Sequence, residues 1–236
     1  MRLDKFLSEC GVLTRRESAA AAKRGQITVD GVPFKDASVH INPEVQSVAY
    51  MGRTVEYHRF TYVMLNKPAG YVSATEDSRL PVVTELLTGE LKNIELFPVG
   101  RLDRDTVGMM ILTNNGPLAH TLLSPKRHVE KVYRFECAEP LVADAEERFR
   151  TNITLADGYE CKPAKLVMDE GRLSGFITLT EGKYHQIKRM IAALGNRVSF
   201  LERVSFAGIP LDTSLSRGEY RRLTRDEEQL LESLGN

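Results

Sequence analysis

The sequence lacks several features that would assign a chain of 236 residues to a particular class of protein. It has no apolar run of about eighteen residues, so we expect no transmembrane helix and no membrane partner. Its three cysteines, Cys10, Cys137 and Cys161, lie far apart without CxxC spacing, which disfavours a disulfide framework and a zinc site. We expect buried free thiols in a reducing cytoplasm. Charges interrupt the apolar stretch at the N-terminus, so we expect no signal peptide.

An excess of charge of one sign is also missing. The 32 lysines and arginines are balanced by 32 acidic residues, so the total gives no support for a nucleic-acid binder. The basic residues nevertheless cluster within residues 2–24, 126–134 and 183–203, whereas acids concentrate at residues 144–147 and 226–232. This distribution is compatible with a one-sided positive face, and equally with charges that alternate over a solvated surface.

The first 58 residues have the pattern of a small unit in which helices precede short strands. Thr14 and Glu17 have the spacing of a capping box, and Gly25 is suited to end the helix that follows. Turn residues and apolar runs predict strands at residues 26–29, 32–34, 45–50 and 54–57. We therefore expect one domain at residues 1–58 and a second at residues 59–236.

The second domain is rich in predicted strands, with helices that do not alternate strictly with them. Strands are predicted at residues 62–65, 109–112, 131–137, 166–168 and 176–179. Helices are predicted at residues 82–87, 143–150 and 185–194, and a capping box at Thr224 and Glu227 opens a C-terminal helix. This order favours an α+β fold over a doubly wound parallel sheet.

The most unusual segment is Gly100–Gly108. It places two acids, two arginines and a threonine between apolar strands, and its terminal glycines allow sharp turns and close approach by a ligand. One interpretation of this composition is a functional site. The alternative is a charged loop in which Asp105 or Thr106 caps a turn.

A second segment, Glu181–Met190, enters the clearest helix. The face opposite the apolar stripe presents His185, Lys188 and Arg189, a combination able to bind phosphates or to stabilise a carboxylate. A solvated basic face is the alternative. His185 has no second histidine or carboxylate at helical spacing, so the segment gives no indication of a metal site.

Two shorter segments complete the pattern: Tyr62–Tyr71, a strand and a loop shaped by proline and glycine, and Lys131–Arg134, which holds Tyr133. Together the four segments resemble the pseudouridine synthases, specifically their Rsu-type ribosomal RNA branch. The resemblance rests on GRLDRDTVG with MMILTNNG, and on LNKPAGYVSAT, KVYRF and EGKYHQIKRMIAALGN, and it spans residues 60–223. The stretches RLDKFLSECG and TRRESAAAAKRGQITVDG are similar to the S4-type RNA-binding module with its αL motif.

The resemblance implies a fold, an activity, and neither cofactor nor metal. A small αL-motif RNA-binding domain is expected to precede a catalytic domain built on a mixed, mainly antiparallel sheet with flanking helices. The implied activity is isomerisation of uridine to pseudouridine in ribosomal RNA. The target base is expected to be flipped out of its stack, since it is otherwise out of reach.

The resemblance also implies roles for three residues. Asp103 occupies the position of the catalytic aspartate, which either attacks the anomeric carbon or removes the sugar proton beside it to give a glycal. Lys188 matches the basic residue that stabilises this carboxylate, with Arg189 as the alternative partner. Tyr133 matches the tyrosine that lies against the flipped uracil, where its hydroxyl is a route for removing a proton.

RNA contacts are implied in both domains. Arg101 is expected to fill the space left by the flipped base or to hold the nucleotide, and the segment around Lys67 is expected to brace the floor of the active site. The full set of expected RNA contacts is Arg2, Lys5, Arg15, Arg16, Lys23, Arg24, Gln26, Lys67, Arg101 and Arg189. The helix-loop form of the first domain suits a folded RNA recognised by its shape.

The expected target is small-subunit (16S) ribosomal RNA, within a small-subunit assembly intermediate and bound by a monomer. The same chemistry on large-subunit (23S) ribosomal RNA is one alternative. A non-catalytic RNA-binding ribosome-assembly factor is another. A hydrolytic glycosidase or nucleosidase that uses Asp103 and Asp105 as paired carboxylates is the third.

Overall fold

The computed structural model describes residues 1–124 and 126–235, which form two compact units. The first consists of Met1–Thr61 together with Leu87–Leu96, and the second contains the rest. Within the first unit, the Asn93 side-chain amide donates to the Gly11 carbonyl at 2.8 Å. The domain boundary between residues 58 and 59 stays a prediction. It assigns residues 87–96 to the second domain, whereas in the structure they belong to the first compact unit.

The first unit contains two helices and a four-stranded antiparallel sheet. Its elements are α1 (Leu3–Glu9), α2 (Arg15–Lys23), β1 (Ile27–Val29), β2 (Val32–Pro33), β3 (Val48–Tyr50) and β4 (Arg53–Thr54), with the sheet order β2-β1-β3-β4. The predicted capping box is present, since the Thr14 hydroxyl accepts from the Glu17 N–H and the Glu17 carboxylate accepts from the Thr14 N–H. Apolar residues of α1, such as Phe6 and Leu7, pack with Ile27 in the core.

The second unit is built on one large mixed sheet. Its strands are β5 (Tyr62–Lys67), β6 (Phe97–Pro98), β7 (Val107–Thr113), β8 (Lys131–Cys137), β9 (Lys165–Met168), β10 (Ser174–Leu179), β11 (Val198–Phe206), β12 (Ile209–Pro210) and β13 (Tyr220–Arg222). Its helices are α3 (Gly116–Leu123), α4 (Ala145–Thr151), α5 (Gln186–Ala193) and α6 (Arg225–Ser233). The main path is β13-β5-β7-β11-β8-β10-β9, in which β7 and β11 pair in parallel and the other neighbours are antiparallel. The predicted α+β class and mainly antiparallel sheet are confirmed.

Three elements differ from the sequence predictions. No strand was predicted at β11, because Glu202 and Arg203 interrupt its apolar pattern, although it is the longest strand in the described residues. No helix was predicted at α3, which begins after Asn115, whose side chain accepts from the Leu118 N–H at 3.1 Å. The helix expected at residues 82–87 is a short 3-10 helix at Val83–Leu86.

Within the described part of the chain, no helix is long and apolar enough to cross a membrane. Cys10, Cys137 and Cys161 are each buried, and each is a thiol outside any disulfide.

Candidate active site

Residues 100–106, here called the Asp103 loop, join β6 to β7 in the second unit. Gly108, the second residue of β7, has φ +98° and pairs with Arg203 on β11. A Cβ atom at Gly108 would lie 2.3 Å from the Arg203 carbonyl oxygen, which no side chain tolerates. Glycine at this position therefore lets the loop end directly against the central strand.

Lys67, the last residue of β5, holds the Asp103 loop from beneath. Its side chain is fully buried. Its ammonium nitrogen lies 3.1 Å from the Asp103 carbonyl, 3.3 Å from the Arg104 carbonyl, 2.8 Å from the Thr106 carbonyl and 3.1 Å from the Pro68 carbonyl. A buried cation surrounded by carbonyl oxygens ties the backbone of the loop to the sheet.

The same burial contradicts the prediction that Lys67 contacts RNA, because all its donors are directed at backbone oxygens inside the protein. Burial lowers the pKa of Lys67 to about 8, against the opposing attraction of the Asp105 and Asp103 carboxylates. The side chain therefore remains mainly charged at neutral pH.

Ser73 and Gly70 hold the loop from a second side. The Ser73 hydroxyl donates to the Leu102 carbonyl at 2.8 Å and accepts from the Leu102 N–H at 2.9 Å. The Gly70 N–H donates to the Arg104 carbonyl at 2.8 Å. The segment LNKPAGYVSAT thus braces the loop, in the way the sequence analysis expected for the residues around Lys67.

The Asp103 carboxylate lies between two basic side chains. The Lys188 ammonium is 3.0 Å from Oδ2, and His185 Nε2 is 3.5 Å from Oδ1. The carboxylate is 25% exposed, so it is partly desolvated yet open to a ligand. Burial alone would lower the pKa of Lys188, but its hydrogen bonds to Asp105 and Asp103 outweigh burial and raise it. Lys188 is therefore a permanent positive charge beside Asp103 at neutral pH.

Asp105 shares the same lysine but is much more open. Its carboxylate lies 2.6 Å from the Lys188 ammonium, and its side chain is 74% exposed. Burial would raise the pKa of Asp105, but the hydrogen bond and charge of Lys188 overcome this effect and lower it. A hydrolytic glycosidase needs one carboxyl group with a raised pKa to act as the acid, so Asp105 does not suit that role.

Arg189 takes a different partner. Its guanidinium lies 2.5 Å from the Asp157 carboxylate, so Lys188 rather than Arg189 forms the ion pair with Asp103. The turn before α5 is held by Glu181, a buried acid whose carboxylate accepts from the Gln186 amide at 2.5 Å. Sequence reasoning did not identify Glu181, because an acid next to glycine and lysine looks like a surface residue.

Strand register relates Tyr133 to the end of the Asp103 loop. It lies directly opposite Arg203 on β11, and Arg203 in turn is paired with Gly108 on β7. Directly opposite residues of an antiparallel pair project from the same face of the sheet. The phenol is therefore two strands away from the end of the Asp103 loop, and it is buried.

Arg203 was missed as a site residue, because the sequence analysis counted it only within a basic group. It is 1% exposed, and its Nε donates to the Met109 carbonyl at 2.7 Å. Burial lowers the pKa of Arg203, against the opposing influence of the neighbouring Tyr133 side chain, and the guanidinium lies 5.0 Å from the centre of the Phe206 ring. The sequence feature that could have identified Arg203 is its position, since it is an arginine at an inward-facing position of β11 between the apolar residues Leu201 and Phe206.

The remaining predicted RNA contacts lie on the surface of their own units. Arg101 is exposed and stands two residues before Asp103. In the first unit the predicted contacts Arg2, Lys5, Arg15, Arg16, Lys23 and Arg24 are exposed, and Gln26 is half-buried. Three of these basic side chains have partners in their own unit: Arg2 pairs with Asp4 at 2.6 Å, Lys5 pairs with Glu9 at 3.5 Å, and Arg24 donates to Gln26 at 2.9 Å. Their contact with RNA stays a prediction.

The chain matches two family models in the order of its units. The S4 domain model matches residues 1–46, and the model described as RNA pseudouridylate synthase matches residues 61–193. A crystal structure described as a pseudouridylate synthase has a TM-score of 0.68 and 36% identity to this chain, covering 98% of this chain and 99% of the other.

Relatives of similar length carry the same family name. An uncharacterized RNA pseudouridine synthase of Bacillus subtilis (strain 168) is 46% identical over 234 residues, covering 98% of each chain. Ribosomal small subunit pseudouridine synthase A of Vibrio cholerae is 41% identical, covering 96% of this chain and 97% of its own. The Escherichia coli (strain K12) protein of the same name is 39% identical, covering 96% and 98%. The chain therefore belongs to the RNA pseudouridylate synthase family and is an RNA-modifying enzyme with an N-terminal S4 domain.

Proposed function

We propose that this enzyme isomerises a uridine of small-subunit (16S) ribosomal RNA, with Asp103 as the catalytic carboxylate. The observation that carries the proposal is the setting of Asp103: a partly open carboxylate, 3.0 Å from a lysine, on a loop anchored to the sheet by a second, buried lysine. The choice of RNA is supported by the relatives named for the small ribosomal subunit, which match over nearly their whole length.

The reaction breaks the bond between uracil N1 and the anomeric carbon of ribose and forms a bond from uracil C5 to that carbon. The C5 proton leaves and N1 gains one, so composition is unchanged. A carboxylate serves either as the nucleophile at the anomeric carbon or as the base that removes the neighbouring sugar proton. Both routes need a negatively charged oxygen that faces the nucleotide, and Lys188 stabilises that charge without covering the carboxylate.

The target base must leave its stack to reach Asp103. Arg101 is exposed and precedes Asp103 by two residues, so we assign it to the space left by the flipped base or to the nucleotide's phosphate. In the S4 domain, the exposed basic residues at positions 2–24 are proposed to bind phosphates of the folded RNA. Neutralising several of them is expected to weaken RNA binding in a salt-dependent way and to make the fall of affinity with salt less steep, while the chemistry stays intact.

Tyr133 is proposed to remove the C5 proton, with Arg203 as the residue that orients its hydroxyl. Tyr133→Phe keeps the ring and removes the hydroxyl, so single-turnover tritium release is expected to slow by about 100-fold or more. Arg203→Met is expected to cause a similar loss. If Arg203 acts only through the hydroxyl, the double variant is expected to be no slower than Tyr133→Phe alone.

Two controls test whether the losses in this double-mutant cycle come from the reaction and not from misfolding. Arg203→Lys keeps a buried cation, and the Tm of each variant shows whether the sheet is intact. Additive losses in the double variant would show that Arg203 acts on something other than the Tyr133 hydroxyl. A Tyr133→Phe variant of normal rate would leave Tyr133 only a stacking role.

The proposed function is tested by tritium release from RNA labelled at uracil C5. Small-subunit RNA, partly assembled small-subunit particles and large-subunit RNA are compared, and carbodiimide-blocked primer extension maps the product. We expect one equivalent of tritium to be released per small-subunit RNA. Release is expected to be faster from an assembly intermediate than from free RNA. Its rate is expected to rise in proportion to enzyme concentration, as for an enzyme that acts as a monomer. Release only from large-subunit RNA would overturn the assigned target, and free uracil would overturn the isomerase reaction.

A further inference from the structure

We propose that the exposed ring of Tyr184 is a stacking platform for the RNA base that adjoins the target uridine. The Tyr184 side chain is 75% exposed although its ring is large and apolar. One face of the ring is stacked on His185, with ring centres 3.8 Å apart and planes 18° apart. The inference rests on the proposed function, since it assigns a second nucleotide to the same site.

The Tyr184–His185 pair is connected directly to the catalytic carboxylate. His185 Nε2 lies 3.5 Å from Asp103 Oδ1, and the same imidazole is stacked on the Tyr184 ring. An exposed aromatic residue that stands alone on a surface needs no explanation. Tyr184 differs from that case, because it rests on a residue of the active site rather than on the apolar core.

The two rings are carried by a strained turn that is anchored by buried polar residues at its two ends. His185 has φ +49° and ψ 35°, the left-handed region that a non-glycine residue rarely adopts. The next residue, Gln186, is buried and joined to the Glu181 carboxylate, while its side-chain oxygen accepts from the Lys183 N–H at 2.9 Å. The backbone that carries the ring pair is therefore fixed before any ligand binds, as a recognition surface requires.

The chemistry around the pair favours a nucleobase over an apolar partner. The adjacent Lys183 is exposed, so a ligand that reaches Tyr184 meets positive charge beside a flat ring, whereas Lys188 and Arg189 are already paired with carboxylates. Aromatic platforms with nearby cations bind single-stranded nucleotides, because every base has a π-face and every nucleotide carries a phosphate. When the target uridine is flipped out, its neighbour loses a stacking partner, and the free face of Tyr184 replaces it.

The test compares three substitutions in the full-length enzyme. Tyr184→Phe keeps the stack, whereas Tyr184→Leu and Tyr184→Ala remove it. Without the ring we expect RNA affinity to fall by about 5- to 100-fold, with a much smaller change in the single-turnover rate at saturating RNA. A 2-aminopurine placed beside the target uridine is expected to be quenched by the wild type and Tyr184→Phe, but not by Tyr184→Leu. Phe176→Leu, at an exposed aromatic position on β10, is the matched control and is expected to bind normally.

Normal affinity and normal quenching in Tyr184→Leu would overturn the proposal. A loss of rate without a loss of affinity would overturn it too, because Tyr184 would then only support His185. A loss of affinity in Tyr184→Leu that is seen on partly assembled particles but absent on free RNA would overturn it as well, because Tyr184 would then contact a protein of the particle. If the wild type quenches 2-aminopurine but releases no tritium, the proposed reaction fails while the stacking platform stands.

Discussion

Replacing Asp103 with asparagine is expected to stop pseudouridine formation while RNA binding is retained. Asparagine has nearly the same shape as aspartate but lacks the charged oxygen that either route requires. The rate is expected to fall by about 10⁴-fold or more, the scale seen when a catalytic nucleophile is removed. Affinity for RNA is expected to be equal or slightly higher, because a negative charge near the phosphates is lost. Single-turnover tritium release and filter binding measure the two quantities separately.

Asp105→Asn is the matched control for this substitution. Asp105 is in the same loop and binds the same lysine, at 2.6 Å, but its side chain is far more exposed than that of Asp103. We expect only a modest loss of rate, since Lys188 then keeps Asp103 as its remaining carboxylate partner. An Asp103→Asn variant with wild-type rate, or an Asp105→Asn variant that is the inactive one of the two, would move the catalytic role away from Asp103.

The sequence predicted those elements whose signals are local. The capping boxes at Thr14 and Thr224 are both present, because each depends on side chains three residues apart. Strand β8 has the predicted bounds, since its inward and outward residues alternate. Lys188 was identified by the family resemblance, and its ion pair with Asp103 is present. These features are fixed by spacing along the chain or by a motif.

The residues that escaped prediction depend on contacts between distant segments. Strand β11 is recognisable only once the buried Arg203 has Met109 and Tyr133 as partners, and these lie about seventy or more positions earlier in the chain. Glu181 is buried because three donors from two segments converge on its carboxylate. Polar residues that a surface pattern assigns to solvent are buried here against partners from distant segments, and a one-dimensional pattern has no signal for such partners.

Lys67→Met tests whether the geometry of the Asp103 loop, and not only its carboxylate, sets the rate. Methionine fills similar space but leaves the carbonyls of Asp103, Arg104 and Thr106 without the ammonium donor. The loop then keeps its hydrogen bonds with Ser73 and Gly70 and the ion pairs of Asp103 and Asp105 with Lys188. Misplacing a catalytic group by about 1 Å costs about 100-fold in rate, and we expect a loss of that size. RNA affinity is expected to be unchanged, since Lys67 is buried and does not contact RNA.

The pH profile makes this prediction specific to the ammonium. The pKa of Lys67 is lowered by burial from 10.5 to about 8, so wild-type turnover is expected to fall as pH rises through about 8 and the loop loses a donor. Stability changes in the opposite direction: between about pH 8 and 10.5 the unfolded chain binds more protons at this group, so its contribution to folding stability rises with pH. A fall in rate above pH 8 without a fall in Tm therefore separates loop geometry from unfolding.

Lys131 provides the matched control, because burial also lowers its pKa to about 8 while its ammonium donates to the Val129 carbonyl, outside the Asp103 loop. Lys67→Met is expected to lose the alkaline fall in rate, and Lys131→Met is expected to keep it. Ser73→Ala, which removes the two hydrogen bonds to Leu102, is expected to lie between wild type and Lys67→Met in rate. If Lys67→Met kept both the full rate and the alkaline fall, the loop would be held by its other contacts alone, and the buried ammonium would have no part in positioning Asp103.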